Sequence, residues 1–158
     1  MVLDLRSKEG QYHVDAGGAH EDDWPDPVAA TTTGEDNWFA VICGTGWGPV
    51  TVRVQLLNQR PETAPSTADP WEMVVERDIV AGGPHMQLIE IMTPQPFHTI
   101  EAGPGRFRAR IHTAHRAQAF QAGDLSEPVE HHWLQFWPAD APAEPSVLKG
   151  PDTFAQNY

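Results

Sequence analysis

Residues 103–113, GPGRFRARIHT, constrain the fold most, because two kinds of side chain alternate along them without a break. One set is Phe107, Ala109, Ile111 and Thr113, and the other is Arg106, Arg108, Arg110 and His112. A period of two residues is typical of a β-strand with one buried face and one polar face. The segment therefore predicts a sheet that covers a hydrophobic core and carries three arginines on its other face.

Six other segments have the pattern of strands separated by turn residues. They are residues 12–15, 37–43, 50–57, 71–80, 86–92 and 130–138. Fifteen prolines and thirteen glycines suit many short strands joined by turns, and no segment keeps a helical period for more than about ten residues. We therefore predict an all-β fold, a single antiparallel β-sandwich of roughly six to eight strands with long Pro/Gly-rich loops.

The chain length predicts one domain. A chain of 158 residues can bury roughly 70% of its unfolded surface around a single core. We expect one domain over residues 1–158, with an acidic N-terminal segment (1–36) that holds a short strand, a sandwich core (37–138) and a coil tail (139–158). No repeat or low-complexity block divides it.

The charge balance restricts the possible partners. The formal net charge is -12, which argues against direct nucleic-acid binding because that needs a basic surface. Residues 1–36 are the most acidic stretch, and their basic residues are Arg6 and Lys8 alone. Such a surface either keeps the protein in solution or acts as an acidic decoy for a nucleic-acid-binding partner.

The single cysteine and the absence of long apolar runs indicate in which cellular compartment the protein is expected. Cys43 cannot form an intrachain disulfide, which favours a reducing compartment. The first residues show no apolar signal region, and no run of about 18 apolar residues exists. We therefore expect a cytoplasmic protein without a membrane span.

Catalytic motifs are missing, so an enzyme is the less favoured interpretation. There is no G-x-S-x-G nucleophile turn. The glycines of GTGWG, residues 44–48, lack the spacing of a dinucleotide fingerprint and predict a tight turn. Cys43 ends an apolar strand, where a small buried hydrophobe is the ordinary role.

Histidines offer an alternative, a metal-dependent enzyme that uses the segments around His112 and His131. Zinc or iron needs three or four ligands at one point. Strand alternation sends His131 and His132 to opposite faces, and likewise His112 and His115. The acidic loop 21–26 lacks the calcium-loop pattern. The prediction is therefore no metal site and no cofactor.

The arginine stripe is the best candidate for a binding device. Its spacing matches the acidic side chains of the segment 71–80, which are Glu72, Glu76 and Asp78. Opposite charges facing each other across two strands stabilise a sheet by roughly 0.2–1 kcal/mol. The stripe is therefore either an ion-pair ladder on the solvent face or, if that pairing is absent, a receptor for carboxylate or phosphate groups. The candidate binding residues are Arg106, Arg108, Arg110, His112, Glu72, Glu76 and Trp47.

Two loop tryptophans support a third interpretation. Trp24 and Trp47 lie in Gly/Pro-rich loops, and loop aromatics can stack on sugars or anchor a partner. A β-sandwich that binds a carbohydrate or another small ligand is therefore a further alternative.

Four segments carry a resemblance to known proteins: GPVTV (48–52), WEMVVE (71–76), GPGRFRAR (103–110) and LQFWP (134–138). Their layout over residues 37–138 resembles a family of actinobacterial β-sandwich proteins of unassigned activity. The same strand order is loosely similar to the competence protein J family, inhibitors of a DNA-entry nuclease. The resemblance implies a small sandwich that binds another protein. We therefore predict a soluble protein-binding module of inhibitor or immunity type, with its oligomeric state open.

Overall fold

The computed structural model describes residues 1–17 and 25–158. These residues form eleven strands and two short helices. The strands are β1 (Val2–Ser7), β2 (Gln11–Asp15), β3 (Thr32–Glu35), β4 (Trp38–Ile42), β5 (Gly48–Leu56), β6 (Met73–Ala81), β7 (Met86–Ile89), β8 (His98–Ile100), β9 (Gly105–Ala114), β10 (His131–Pro138) and β11 (Ser146–Lys149). The helices are α1 (Arg116–Ala122) and α2 (Thr153–Gln156).

The strands form two open sheets. A six-stranded sheet has the order β1-β5-β10-β9-β6-β11, and a five-stranded sheet has the order β3-β4-β2-β7-β8. Apolar side chains of both sheets join in one hydrophobic cluster, which includes Tyr12 and Phe39 from the smaller sheet and Ile79, Ile111 and Phe136 from the larger one. None of the described helices is long and apolar enough to cross a membrane.

The prediction of a mainly β protein is confirmed, but the number of strands is larger than predicted. All seven segments identified from their patterns form strands, and they are the seven interior strands of the two sheets. The four strands that the pattern did not reveal are β1, β11, β3 and β8, the outer strands of each sheet. Three of them, β3, β8 and β11, are only three or four residues long, which is too short for an apolar alternation to stand out.

The prediction of a purely antiparallel fold is wrong at one pair of strands. β10 runs parallel to β5, with Trp133 opposite Arg53, whereas β10 and β9 are antiparallel. The alternation within a strand shows which face is buried. It does not show the direction of a partner strand that lies far away in the sequence.

The predicted internal boundaries also need correction. Residues 139–158 are not a coil tail, because β11 pairs with β6 and α2 follows it. The segment 1–36 contributes three strands instead of one, and its Leu5, Tyr12 and Val14 are fully buried. Core strands therefore lie on both sides of the predicted 37–138 core, since each terminal segment completes a sheet.

One buried cation, Arg116 at the start of α1, joins segments that are distant in sequence. Its Nε and Nη2 donate to the two carboxylate oxygens of Asp152 at 2.9 Å each. Its Nη1 donates to the carbonyl oxygens of Ala30 and Ile42 at 2.7 and 3.2 Å. A Cβ on Gly44 would lie 1.9 Å from the Arg116 carbonyl oxygen, so the chain needs glycine there for this close approach.

Substituting Arg116 should therefore destabilise the whole fold. Arg116→Met removes one partner of a fully buried ion pair and leaves the Asp152 carboxylate without its cation. We expect the free energy of unfolding to fall by about 3–5 kcal/mol, measured by urea denaturation with tryptophan fluorescence.

The matched control is Arg6→Met, at an exposed position on β1. It should change the free energy of unfolding by no more than about 0.5 kcal/mol. A loss below about 1 kcal/mol for Arg116→Met would contradict the role of this ion pair.

Candidate binding cleft

The outer face of the six-stranded sheet is built from rows of side chains that the strand register brings into line. One row runs Arg53, Trp133, His112 across β5, β10 and β9. The next row runs Gln55, Gln135, Arg110 across the same strands and reaches Glu76 on β6. A third row places Trp137, Arg108 and Asp78 side by side. The arginine stripe therefore lies in the middle of a sheet.

The predicted cross-strand ladder is present. Glu76, which is 1% exposed, accepts from Arg110 Nε at 2.7 Å and from Arg108 Nε at 3.4 Å. Asp78 accepts from Nη1 of Arg108 at 3.0 Å and from Nη1 of Arg106 at 2.9 Å. Each of the three arginines thus has a carboxylate partner within the chain.

Glu72 departs from the predicted ladder. It lies before β6, and its Oε1 accepts from the backbone N–H of His115 at 2.5 Å. The Glu72 carboxylate therefore holds the turn that leads into α1. It makes no ion pair with an arginine in the described part of the chain.

The ladder is buried, whereas the sequence predicted a solvent face. Arg110 Nη1 donates to the carbonyl oxygen of Thr63 at 3.0 Å, and Arg60 Nη2 donates to both carboxylate oxygens of Glu76 at 3.0 and 3.1 Å. Arg108 Nη2 donates to the carbonyl oxygen of Glu144 at 2.8 Å. These bonds hold the 57–71 loop and the segment before β11 against the sheet, and both segments cover the charges.

A cleft of about 810 Å³ opens between this loop and the sheet. Its centre is an aromatic cluster, in which His112 stacks on Trp133 with ring centroids 4.6 Å apart and Trp71 lies 5.4 Å from His112. The guanidinium carbon of Arg53 lies 4.7 Å from the centroid of the Trp133 ring, within the range of a cation–π interaction.

The polar groups of the cleft are held in place by neighbours on the same rows. Gln135 Nε2 donates to Oε1 of Gln55 at 3.1 Å. The exposed Arg53 and Arg60 side chains lie at the cleft, Arg53 over the Trp133 ring and Arg60 paired with Glu76. The indole N–H of Trp133 has no hydrogen-bond partner among the described residues. Tryptophan and arginine around a half-enclosed depression are the composition of an interaction hot spot.

His112 is a neutral side chain of this cleft. Its Nδ1–H donates to the carbonyl oxygen of Trp133 at 2.9 Å. Burial is the main cause that lowers the pKa of His112 to about 4, and the neighbouring Arg110 also lowers it. With Nδ1 protonated, Nε2 is the unprotonated nitrogen and can accept a hydrogen bond.

The structure brings together some of the predicted binding residues and separates others. Arg110 and His112 line the cleft. Arg106, Arg108 and Glu76 belong to the ladder beside it. Trp47 is 45% exposed and precedes β5, outside this cleft, while Trp24 and the acidic loop 21–23 lie outside the described residues.

Sequence reasoning missed most of the cleft, including Arg53, Trp71 and Trp133. In the sequence, Arg53 is an isolated charge in an alternating strand, and Trp71 and Trp133 lie within predicted strands with no binding motif around them. Their alternation shows that Arg53 and Trp133 share a face with other polar side chains. It does not show that β5 and β10 are neighbours, which is what makes them a site.

The predicted alternative, a metal-dependent enzyme that uses the segments around His112 and His131, does not bring these two histidines together. His112 points into the aromatic cluster, and the exposed His131 has its ring 6.0 Å from that of His115. In the part of the chain that the structure describes, one cluster of metal-ligating groups occurs, and it holds His132 with Cys43 and Glu130 but neither His112 nor His131. Cys43 is buried, and burial raises the pKa of its thiol, so it is not poised as a nucleophile.

Comparisons with known proteins give a fold and no sequence family. No protein-family model matches the chain, and no curated protein sequence matches it. Similar solved structures include ComJ from Bacillus subtilis, an inhibitor of the DNA degrading activity of NucA, at 9% identity and a TM-score of 0.58 over 88% of this chain and 96% of that one. They also include a protein described as crocagin biosynthetic gene J, at 15% identity and a TM-score of 0.55 over 87% and 95%. The predicted resemblance to competence protein J is confirmed at the level of fold.

Because the pKa of His112 is lowered by folding, the free energy of unfolding should fall as the pH falls. Its unfolded pKa is near 6.5 and its folded pKa is about 4, so the unfolded chain takes up a proton first as the pH falls. Stability should therefore be lost between about pH 6.5 and pH 4, by up to about 3 kcal/mol for this residue.

The measurement compares urea unfolding of the wild type and of His112→Gln at pH 7.5 and pH 5. The variant has no imidazole here, so it should lose less stability between the two pH values. His131→Gln, at an exposed position on the same sheet, should follow the wild type. An identical pH dependence for wild type and His112→Gln would contradict the prediction.

Proposed function

We propose that this chain is a protein-binding module of inhibitor type, and that its partner is a protein with a basic, nucleic-acid-binding surface. The observation that carries the proposal is the distribution of charge between the interior and the surface. Among the described residues, a larger share of the basic side chains than of the acidic ones is buried, so that the excess of acids lies at the surface.

Four of the ten basic side chains are buried, namely Arg77, Arg108, Arg110 and Arg116. Of the carboxylates in the described residues, Glu76, Glu130 and Asp152 are buried, although the chain has more than twice as many acids as bases. Arg60, Arg106 and Lys149 are outside the core but paired with carboxylates. The buried charges of the described residues nearly cancel, so almost the whole negative excess of the net charge of -12 lies outside the core.

An acidic surface attracts a basic partner over a distance and accelerates the encounter. It also competes with a polyanion such as DNA for the same basic groove. A strongly negative protein is a poor ligand for nucleic acid itself. The charge distribution thus supports a role in which this chain occupies the groove of a nucleic-acid-binding protein. It does not support a role in which this chain binds DNA itself.

The cleft supplies the contact that holds the partner after the encounter. It presents the half-buried Trp71 and Trp133 beside the exposed Arg53, which are residue types that dominate binding energy at protein interfaces. We propose that a side chain of the partner enters between Trp71 and Arg53.

Two further points support the proposal. The two sheets share one hydrophobic cluster, which supports the predicted single-domain β-sandwich, a rigid scaffold for a binding face. The similar structure of ComJ is described as that of a nuclease inhibitor, which is support from likeness of fold at low identity.

The experiment captures the partner from a native lysate of the source organism and then measures its affinity with purified components by calorimetry. We expect a partner with an isoelectric point above about 9, an affinity that falls as salt rises, and suppression of the partner's action on nucleic acid. Recovery of no specific partner, or of an acidic one, would contradict the proposal.

Matched variants separate the cleft from the overall charge. Arg53→Glu places a carboxylate at the cleft, and Arg6→Glu makes the same charge change on the neighbouring strand β1. Arg53→Glu should weaken binding at least about tenfold relative to Arg6→Glu, equivalent to about 1.4 kcal/mol. Equal affinities of the two variants would exclude the cleft as the anchor.

A further inference from the structure

A second candidate site lies between the two sheets, on the face of β10 opposite to the cleft. Cys43 directly follows β4 of the five-stranded sheet, and His132 lies in β10 of the six-stranded sheet, two residues after Glu130. Sulfur, nitrogen and oxygen atoms of these three side chains all lie within 4.8 Å of one another. Glu130 is 0% exposed, His132 1% and Cys43 3%, so the core holds three metal-ligating groups at one point.

The ligand atoms are held in place by a second layer of hydrogen bonds. His132 Nε2 is hydrogen-bonded to Glu130 Oε2 at 2.5 Å, and its Nδ1 to the hydroxyl of Tyr12 at 2.8 Å. The other oxygen of Glu130 accepts from Thr45 N at 2.8 Å and from Thr45 Oγ1 at 3.0 Å. Ser7 Oγ donates to the Thr45 carbonyl oxygen at 2.7 Å. Supporting bonds of this kind orient histidine and carboxylate ligands in metal sites.

The charge of Glu130 has no permanent counterpart in the described residues. Its carboxylate bonds to Thr45 and His132, and no lysine or arginine forms an ion pair with it. A buried carboxylate is costly unless its charge is balanced. A divalent cation bound by one carboxylate and one thiolate would make the cluster electrically neutral.

We propose that Cys43, Glu130 and His132 bind a Zn²⁺ ion, which joins the two sheets. Thiolate, imidazole and carboxylate form a ligand set that Zn²⁺ accepts at about 2.0–2.3 Å, usually with four ligands in all. The ion takes the place of the proton between His132 Nε2 and Glu130 Oε2. That proton moves to Nδ1, which donates to the Tyr12 oxygen, and the Cys43 thiol releases its proton to solvent.

A cavity of about 650 Å³ next to helices α1 and α2 reaches one of the three ligands, Cys43. Gly10, Gly44 and Gly46 also line it and add no side chains to that part of its wall. A water molecule from this cavity completes the coordination as the fourth ligand. The site stabilises the fold and is independent of the proposed partner.

The test uses Co²⁺ and then Zn²⁺ on the full chain after treatment with a chelator. Cys43 is the one cysteine of the chain, so a thiolate-to-Co²⁺ charge-transfer band in the near ultraviolet can arise only from this site. We expect the band to saturate at one equivalent of Co²⁺ and to disappear when Zn²⁺ is added. One equivalent of Zn²⁺ should also raise the thermal midpoint of unfolding.

Two variants complete the test. Cys43→Ser should lose the band and bind Zn²⁺ at least about 100-fold more weakly in a chelator competition. His131→Ala is the control, because the neighbouring rings of His131 and His115 are the pair of histidines that could bind a metal at the surface instead. This variant should keep both the charge-transfer band and the Zn²⁺ affinity. If Cys43→Ser does not fold, the presence or absence of the charge-transfer band in the wild type decides whether Cys43 binds the metal. Absence of the band with excess Co²⁺, or Zn²⁺ affinity unchanged in Cys43→Ser, overturns the proposal.

Discussion

The buried carboxylate of Glu76 is the constraint on which the outer face of the molecule depends. It accepts hydrogen bonds from Arg60, Arg108 and Arg110. Removing one partner from a buried ion pair leaves an uncompensated charge, which costs several kcal/mol. The same guanidinium groups hold the carbonyl oxygens of Thr63 and Glu144, so a single cluster of charges positions two loops that the sheet alone would not hold.

Two consequences follow from burying charge in an acidic chain. The arginines that neutralise internal carboxylates are unavailable at the surface, which leaves acidic side chains in excess there. The loop that the ladder holds forms a wall beside the aromatic cluster of Trp71, His112 and Trp133. The proposed attraction of a basic partner and the proposed anchor for it therefore have the same structural origin.

The sequence predicted the interior of both sheets and left out their edges. Interior strands such as β4 and β9 are covered on both sides by neighbouring strands, so apolar alternation or continuous apolar runs mark them clearly. The edge strands β3 and β11 are four residues long and carry too few apolar residues for a pattern. Among the cleft residues, the sequence predicted Arg110 and His112 but not Arg53 and Trp133. Arg53 and Trp133 lie in strands β5 and β10, which are far apart in the sequence and become neighbours only through their pairing in the sheet.

The sequence alone determined which side chains point inward, since alternation is a property of each strand by itself. It also determined that the arginine stripe and its carboxylates match in spacing. Only the tertiary structure decided that β5 lies parallel to β10, that loops cover the ladder, and that Cys43 meets His132 between the sheets. These are contacts between residues far apart in the chain, and their geometry follows from how whole sheets pack, which no local pattern encodes.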